Sequence, residues 1–129
     1  MKADILLTHP DYLFVHKPSG MLTISDRFDA QAPTLMALVQ QQEPGVLLLH
    51  RLDRDTSGVI AYARHAEAQR HAAKLFETRA VEKIYLGIVQ GSVTEVDGLI
   101  DAPIAEHPYH KGRMIVHHPH RLFELEMRG

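Results

Sequence analysis

The chain has 129 residues, of which 45% are hydrophobic and 23% charged, a balance that suits one soluble globular domain able to bury a core. It has no cysteine, which excludes a disulfide framework and Cys-ligated zinc and agrees with a reducing cytoplasm; it also lacks an apolar run of the roughly 18 residues a membrane span needs, and Met1-Lys2-Ala3-Asp4 does not open a signal peptide. Fourteen Lys plus Arg against sixteen Asp plus Glu leave a formal net charge of −2, so any nucleic-acid site must be local rather than a general basic excess.

Asp11 to His16 (DYLFVH) reads as a short strand, and Lys17-Pro18-Ser19-Gly20 as a tight turn with Pro second and Gly fourth. Pro33 to Gln42 reads as a helix: Pro suits its first turn, Leu35, Leu38 and Val39 form an apolar stripe, and Pro44-Gly45 stops it. Val46 to Leu49 is a continuous apolar run fit for a buried strand, and Val59 to Ala63 is another. From His65 to Arg79 the spacing is helical, with Ala68, Ala72, Leu75 and Phe76 on one side and Arg70, Lys74 and Glu77 on the other. Glu82 to Gln90 alternates as a strand would, which puts Ile84, Leu86 and Ile88 on one face and Lys83, Tyr85, Gly87 and Val89 on the opposite one. Leu122 to Met127 reads as the beginning of a further strand. These elements predict an α+β domain, a mixed and mostly antiparallel sheet flanked by two main helices, with no internal repeat or linker.

Between the two apolar runs lies His50-Arg51-Leu52-Asp53-Arg54-Asp55-Thr56-Ser57-Gly58. An Asp between two guanidinium groups is expected to stay ionised at neutral pH, because nearby positive charge favours the anion, and an ionised carboxylate can act as a nucleophile. The same charges would also suit a solvated surface turn whose ion pairs contribute about 0 to 1 kcal/mol. Buried strands at both ends would hold the loop as catalytic loops are held on a rigid scaffold. Arg51, Arg54, Arg64, Arg70, Lys74, Arg79, Lys83, Lys111 and Arg113 are the residues able to supply phosphate contacts, and such binding weakens as salt rises.

HRLDRDTSG resembles the signature of the RluA-type pseudouridine synthases, which isomerise uridine in ribosomal and transfer RNA. His16-Lys17-Pro18-Ser19-Gly20 upstream resembles the family's Lys-Pro-x-Gly element, and Val81-Glu82-Lys83-Ile84-Tyr85 downstream resembles its Lys-x-Tyr strand, in the family's order. The resemblance implies that Asp53 is the essential aspartate and Tyr85 the tyrosine that packs on the target base, with Arg51 and Thr56 shaping the loop. Arg54 and Lys83 join them as substrate-binding candidates. It implies RNA rather than DNA as partner, no membrane, and isomerisation without metal or organic cofactor. The target uridine would be flipped out of its helix at a cost of a few kcal/mol, and a base stacked on Tyr85 would gain roughly 1 to 3 kcal/mol. Nothing in Gly98 to Gly129 matches the family's Gly-Arg-Thr-His-Gln-like motif. Residues 1–129 are therefore expected to be one N-terminal portion of the synthase domain, without a separate N-terminal RNA-binding domain, and its exposed sheet surface would favour self-association.

Other chemistries are open on residue types alone. A catalytically silent RNA-binding module of the same fold would share every residue named above. The ten histidines, with His107, His110, His117, His118 and His120 crowded near the end, suggest a transition-metal site, although no His-Glu-x-x-His helix occurs. His50, Asp53 and Ser57 contain the residue types of a nucleophilic triad but lack a Gly-x-Ser-x-Gly elbow, and Asp53 with Asp55 could be paired acid and base carboxylates.

Overall fold

The computed structural model describes residues 1–26 and 31–116, and the chain divides into two units, Met1–Ile84 and Tyr85–Gly129. The first unit holds β1 (Asp4–Thr8), β2 (Tyr12–Lys17), α1 (Leu35–Gln42), β3 (Leu47–Leu48), β4 (Gly58–Ala63) and α2 (Ala66–Glu77). Its strands form one sheet in the order β1-β2-β4-β3, with every ladder antiparallel. The predicted strand at 11–16 is β2, shifted by one residue. Its period of two sends Leu13, Val15 and Lys17 to the buried face, where Leu13 and Val15 join Ile60 and Tyr62 of β4. Full burial of such aliphatic side chains contributes about 1.5 to 3 kcal/mol each. β1 was not expected from the sequence: Leu6 and Leu7 are exposed along it, and a register shift between Ile5 and Leu7 breaks the alternation that would have announced it.

Helix α1 starts two residues later than predicted. Thr34 is its N-cap, its hydroxyl accepting from Ala37 N at 3.2 Å, and Pro33 stands outside. The carbonyls of Leu22 and Thr23 accept from the amides of Leu35 and Met36 at 2.9 and 3.0 Å, so the chain after the 17–20 turn satisfies the free end of α1. Leu35 and Val39 are buried in the core with Val46 and Leu52, and Leu38 packs against them. The apolar run at 46–49 contributes only the short, half-buried β3, because the chain pairs with β4 at Leu47↔Ala63 and Leu48↔Tyr62 and then leaves the sheet.

Helix α2 lies on β4 and β3, where Ala68 and Ala72 are buried. Leu75 is exposed, which narrows the predicted stripe, and Phe76 is half-buried. His65 caps the helix. Its Nδ1 accepts from Ala68 N at 3.3 Å and its Nε2 bonds the Asp11 carboxylate at 2.8 Å.

In the second unit, β5 (Ile104–Glu106) and β6 (Met114–Val116) pair antiparallel. Lys111-Gly112-Arg113 lies in their connection, where Gly112 takes φ +81°. The expected strand over 82–90 does not form: among the described residues it pairs with no other strand, and Leu86 and Ile88 are fully exposed. Alternation makes a strand only when a neighbouring ladder takes up its amides and carbonyls. The strand expected at Leu122–Met127 lies outside the described residues. No helix among the described residues is long and apolar enough to cross a membrane.

Candidate active site

Lys17 is the most unusual residue of the first unit: a fully buried ammonium at a core-facing position of a strand. Its Nζ donates three hydrogen bonds, to the carbonyls of Pro18 (3.0 Å), Met21 (2.6 Å) and Arg54 (2.8 Å). All three donors are used, and each acceptor belongs to a turn rather than to a strand. Burial pulls the Lys17 ammonium below the usual lysine range, and the carboxylates of Asp55 and Asp53 act in the opposite direction. The 17–20 turn is centred on Ser19 and Gly20, one residue later than predicted, with Gly20 at φ +83° where a side chain would be strained.

That turn grips the predicted catalytic loop. Gly20 N donates to the carbonyl of Arg54 at 2.9 Å, Ser19 Oγ to that of Asp55 at 2.8 Å, and Arg54 Nε to that of Gly20 at 3.4 Å. Within the loop, Thr56 N donates to the carbonyl of Asp53 at 3.1 Å, closing a β-turn with Asp53 at its first position, a place Asp favours. Just before it, Leu52 is buried, and its amide and carbonyl both bond the hydroxyl of buried Thr23, at 3.3 and 2.9 Å. Backbone on either side of Asp53 is thus held by buried side chains while Asp53 itself is exposed.

Among the described residues no salt bridge joins Asp53 to Arg51 or Arg54; the loop carboxylates of Asp55 and Asp53 both favour the charged form of the buried Lys17 ammonium. Exposed Arg51 makes no side-chain hydrogen bond or ion pair among the described residues, so its guanidinium faces solvent with its donors unused. Thr56 enters through its backbone. Arg64 bonds elsewhere, to Glu43 at 3.3 Å and the carbonyl of His9 at 3.2 Å.

Lys83 and Tyr85 do not share a strand face, because no strand forms there. Lys83 Nζ lies 5.2 Å from the centroid of the Phe76 ring, and Tyr85, in the second unit, is 60% exposed. His50 is also stacked on Phe76, with centroids 5.1 Å apart. Its Nε2 accepts from Ala61 N at 3.0 Å, which leaves that nitrogen unable to activate Ser57 and removes the triad reading. Burial pushes His50 below the usual histidine range, and the Lys83 charge adds to the effect.

No group of three or more His, Cys, Asp or Glu able to hold a metal exists among the described residues. His107 Nδ1 instead accepts from the amides of Tyr109 and His110, at 3.1 and 3.2 Å, while His117, His118 and His120 lie outside the described residues.

Sequence reasoning passed over Lys17, Thr23 and His50 as supports of the site. Lys17 alone carried a readable signal, since the period of two through Leu13 and Val15 puts a lysine on the core face. Thr23 gave none, because its partner is the Leu52 backbone 29 residues away, and His50, although it opens the signature, gave no sign of its bond from Ala61 N, 11 residues on.

Residues 11–124 match the family model described as RNA pseudouridylate synthase. Among curated relatives, a ribosomal large subunit pseudouridine synthase D of Nitrosomonas europaea is 35% identical over 117 residues, covering 87% of this chain and 34% of its own length. A dual-specificity RNA pseudouridine synthase RluA of Vibrio vulnificus is 33% identical over 101 residues, 78% of this chain and 40% of the relative. Among solved structures, human RNA pseudouridylate synthase domain containing 1 superposes with a TM-score of 0.73 at 26% identity, covering 98% of this chain and 49% of that one. The chain belongs to the RluA-type pseudouridine synthase family and spans less than half the length of these relatives.

Proposed function

We propose that this chain carries the aspartate-bearing part of an RNA pseudouridine synthase acting on ribosomal or transfer RNA in the cytoplasm, with Asp53 as nucleophile. The observation that carries this reading is an exposed carboxylate on a turn whose backbone is bound on both sides by buried side chains, Thr23 at Leu52 and Lys17 at Arg54. Catalytic side chains are disproportionately carried on loops positioned by a rigid scaffold. Family membership supports the reaction, and the name of the Nitrosomonas relative favours a large-subunit ribosomal RNA.

In this reaction Asp53 adds to the ribose C1′ or the uracil C6 of a flipped uridine, the C1′–N1 bond breaks, and the base turns and rejoins through a C1′–C5 bond. C5 gives up its proton and N1 gains one, so the product is an isomer and the Asp53 carboxylate is regenerated. Arg51, with unused donors, and Arg54 contact the displaced phosphates. Tyr85 stacks on the base, and Lys83 adds positive charge at the substrate.

The test is direct. Purified chain is incubated with ribosomal RNA fragments and tRNA transcripts, and nucleoside digests are assayed for pseudouridine. The expected result is product with wild type and none with Asp53→Asn, at an RNA affinity unchanged within a few fold, because only the nucleophile is lost. Product formation unaffected by Asp53→Asn overturns the nucleophile, and wild-type chain that binds RNA without isomerising it overturns the assignment as an enzyme.

A further inference from the structure

We infer that Thr23 is a positioning residue for Asp53, acting through the peptide groups of Leu52; the inference rests on the proposed role of Asp53 and deepens it. Thr23 is 3% exposed and lies away from the signature loop in sequence, and neither its type nor its position marks it as functional. Its hydroxyl does two things at once. It accepts the amide hydrogen of Leu52 at 3.3 Å and donates its own hydrogen to the Leu52 carbonyl at 2.9 Å. One oxygen therefore fixes both polar groups of the residue directly before Asp53.

The surroundings make this clip rigid. The carbonyl of Thr23 accepts from Met36 N at 3.0 Å, so the hydroxyl is carried on backbone bonded to the first turn of α1. The Leu52 side chain is buried in the cluster with Leu35, Val39 and Ile60. Leu52 is buried while Asp53, next to it at the start of the turn, is exposed, so fixing the Leu52 backbone fixes where that turn begins. Rotation of the Leu52 peptide would turn Asp53 away and would also break both bonds to Thr23. Lys17 holds the following residue through the Arg54 carbonyl, but it reaches only one side of Asp53. Thr23 supplies the other side, and a hydroxyl is needed because a buried amide and a buried carbonyl must be satisfied together.

Thr23→Val and Thr23→Ser separate the hydroxyl from the methyl group. On the RNA that wild type modifies, Thr23→Val is expected to lower kcat about 10- to 100-fold, as a misplacement of the order of 1 Å does, while KM stays within about threefold. Thr23→Ser is expected to restore at least half of wild-type kcat. A kcat for Thr23→Val within twofold of wild type overturns the inference, as does a Thr23→Ser enzyme as slow as Thr23→Val, which would assign the effect to packing.

Amide exchange provides a second reading that needs no turnover and no folded variant. In wild-type chain the Leu52 amide should exchange far more slowly than the exposed Arg51 and Asp55 amides, and equal exchange overturns the clip. Absence of pseudouridine with wild type would instead overturn the function proposed above and leave the exchange result to decide the role of Thr23.

Discussion

Replacing Lys17 with Met keeps the alkyl chain in the core and removes the ammonium, so the variant isolates what three hydrogen bonds from one buried cation contribute. Hydrogen bonds to charged groups contribute about 1.5 to 3 kcal/mol each, which would sum to roughly 4.5 to 9 kcal/mol if they were independent. They share one ammonium and are not independent, and its removal from water offsets several kcal/mol of the gain. Arg54 O keeps its bond from Gly20 N at 2.9 Å, while Pro18 O and Met21 O each lose the Lys17 bond. The net loss expected for Lys17→Met is about 2 to 4 kcal/mol, a large share of the roughly 5 to 15 kcal/mol that holds a domain folded. With a urea slope of about 2 kcal/mol per molar, the unfolding midpoint should fall by about 1 to 2 M. Because the folded ammonium titrates below its unfolded value of 10.5, the unfolded state binds more protons between the two. Wild-type stability from this group therefore rises with pH across that window, and Lys17→Met should lack the rise. Circular dichroism in urea at neutral and alkaline pH measures both effects. A midpoint within about 0.3 M of wild type would refute the clamp, because it lies well short of the drop of about 1 to 2 M expected.

Two further measurements bear on the same scaffold. His50 titrates below its unfolded value of 6.5, so the unfolded state takes up its proton first and the stability from this group falls as pH drops below 6.5 through the lowered folded value. His50→Gln should show a smaller loss between pH 7.5 and pH 5 in urea titrations, and identical pH dependence in both proteins would count against the buried neutral imidazole. Tyr62 is fully buried with its hydroxyl unpartnered among the described residues, and burial raises its pKa to about 12 from 10.0. Tyr62→Phe should be as stable as wild type or about 1 to 3 kcal/mol more so, since the uncompensated burial of a hydroxyl disappears. It should also escape the loss of wild-type stability between pH 10 and 12, where the unfolded tyrosine ionises first; thermal melts showing Tyr62→Phe less stable by more than about 1 kcal/mol would mean that the hydroxyl is bonded.

Both helices, the strand segments read at 11–16 and 59–63 and the nine-residue signature were legible from periodicity and motif, because each depends on neighbours within a few positions. Long-range partners decided the rest. Whether residues 82–90 form a strand depends on a ladder that local alternation cannot supply, and their exposed side chains show that alternation was not enough. Charge order shows Arg51 and Arg54 beside Asp53, but it could not show the buried Lys17 ammonium, 36 to 38 positions away from Asp53 and Asp55, whose strand pairs with β4 just after the loop. Local spacing determines which face of an element is apolar. Only the closed sheet determines which buried donor meets which backbone carbonyl, because unsatisfied polar groups in a core are costly and their partners come from whatever the fold places within about 3 Å.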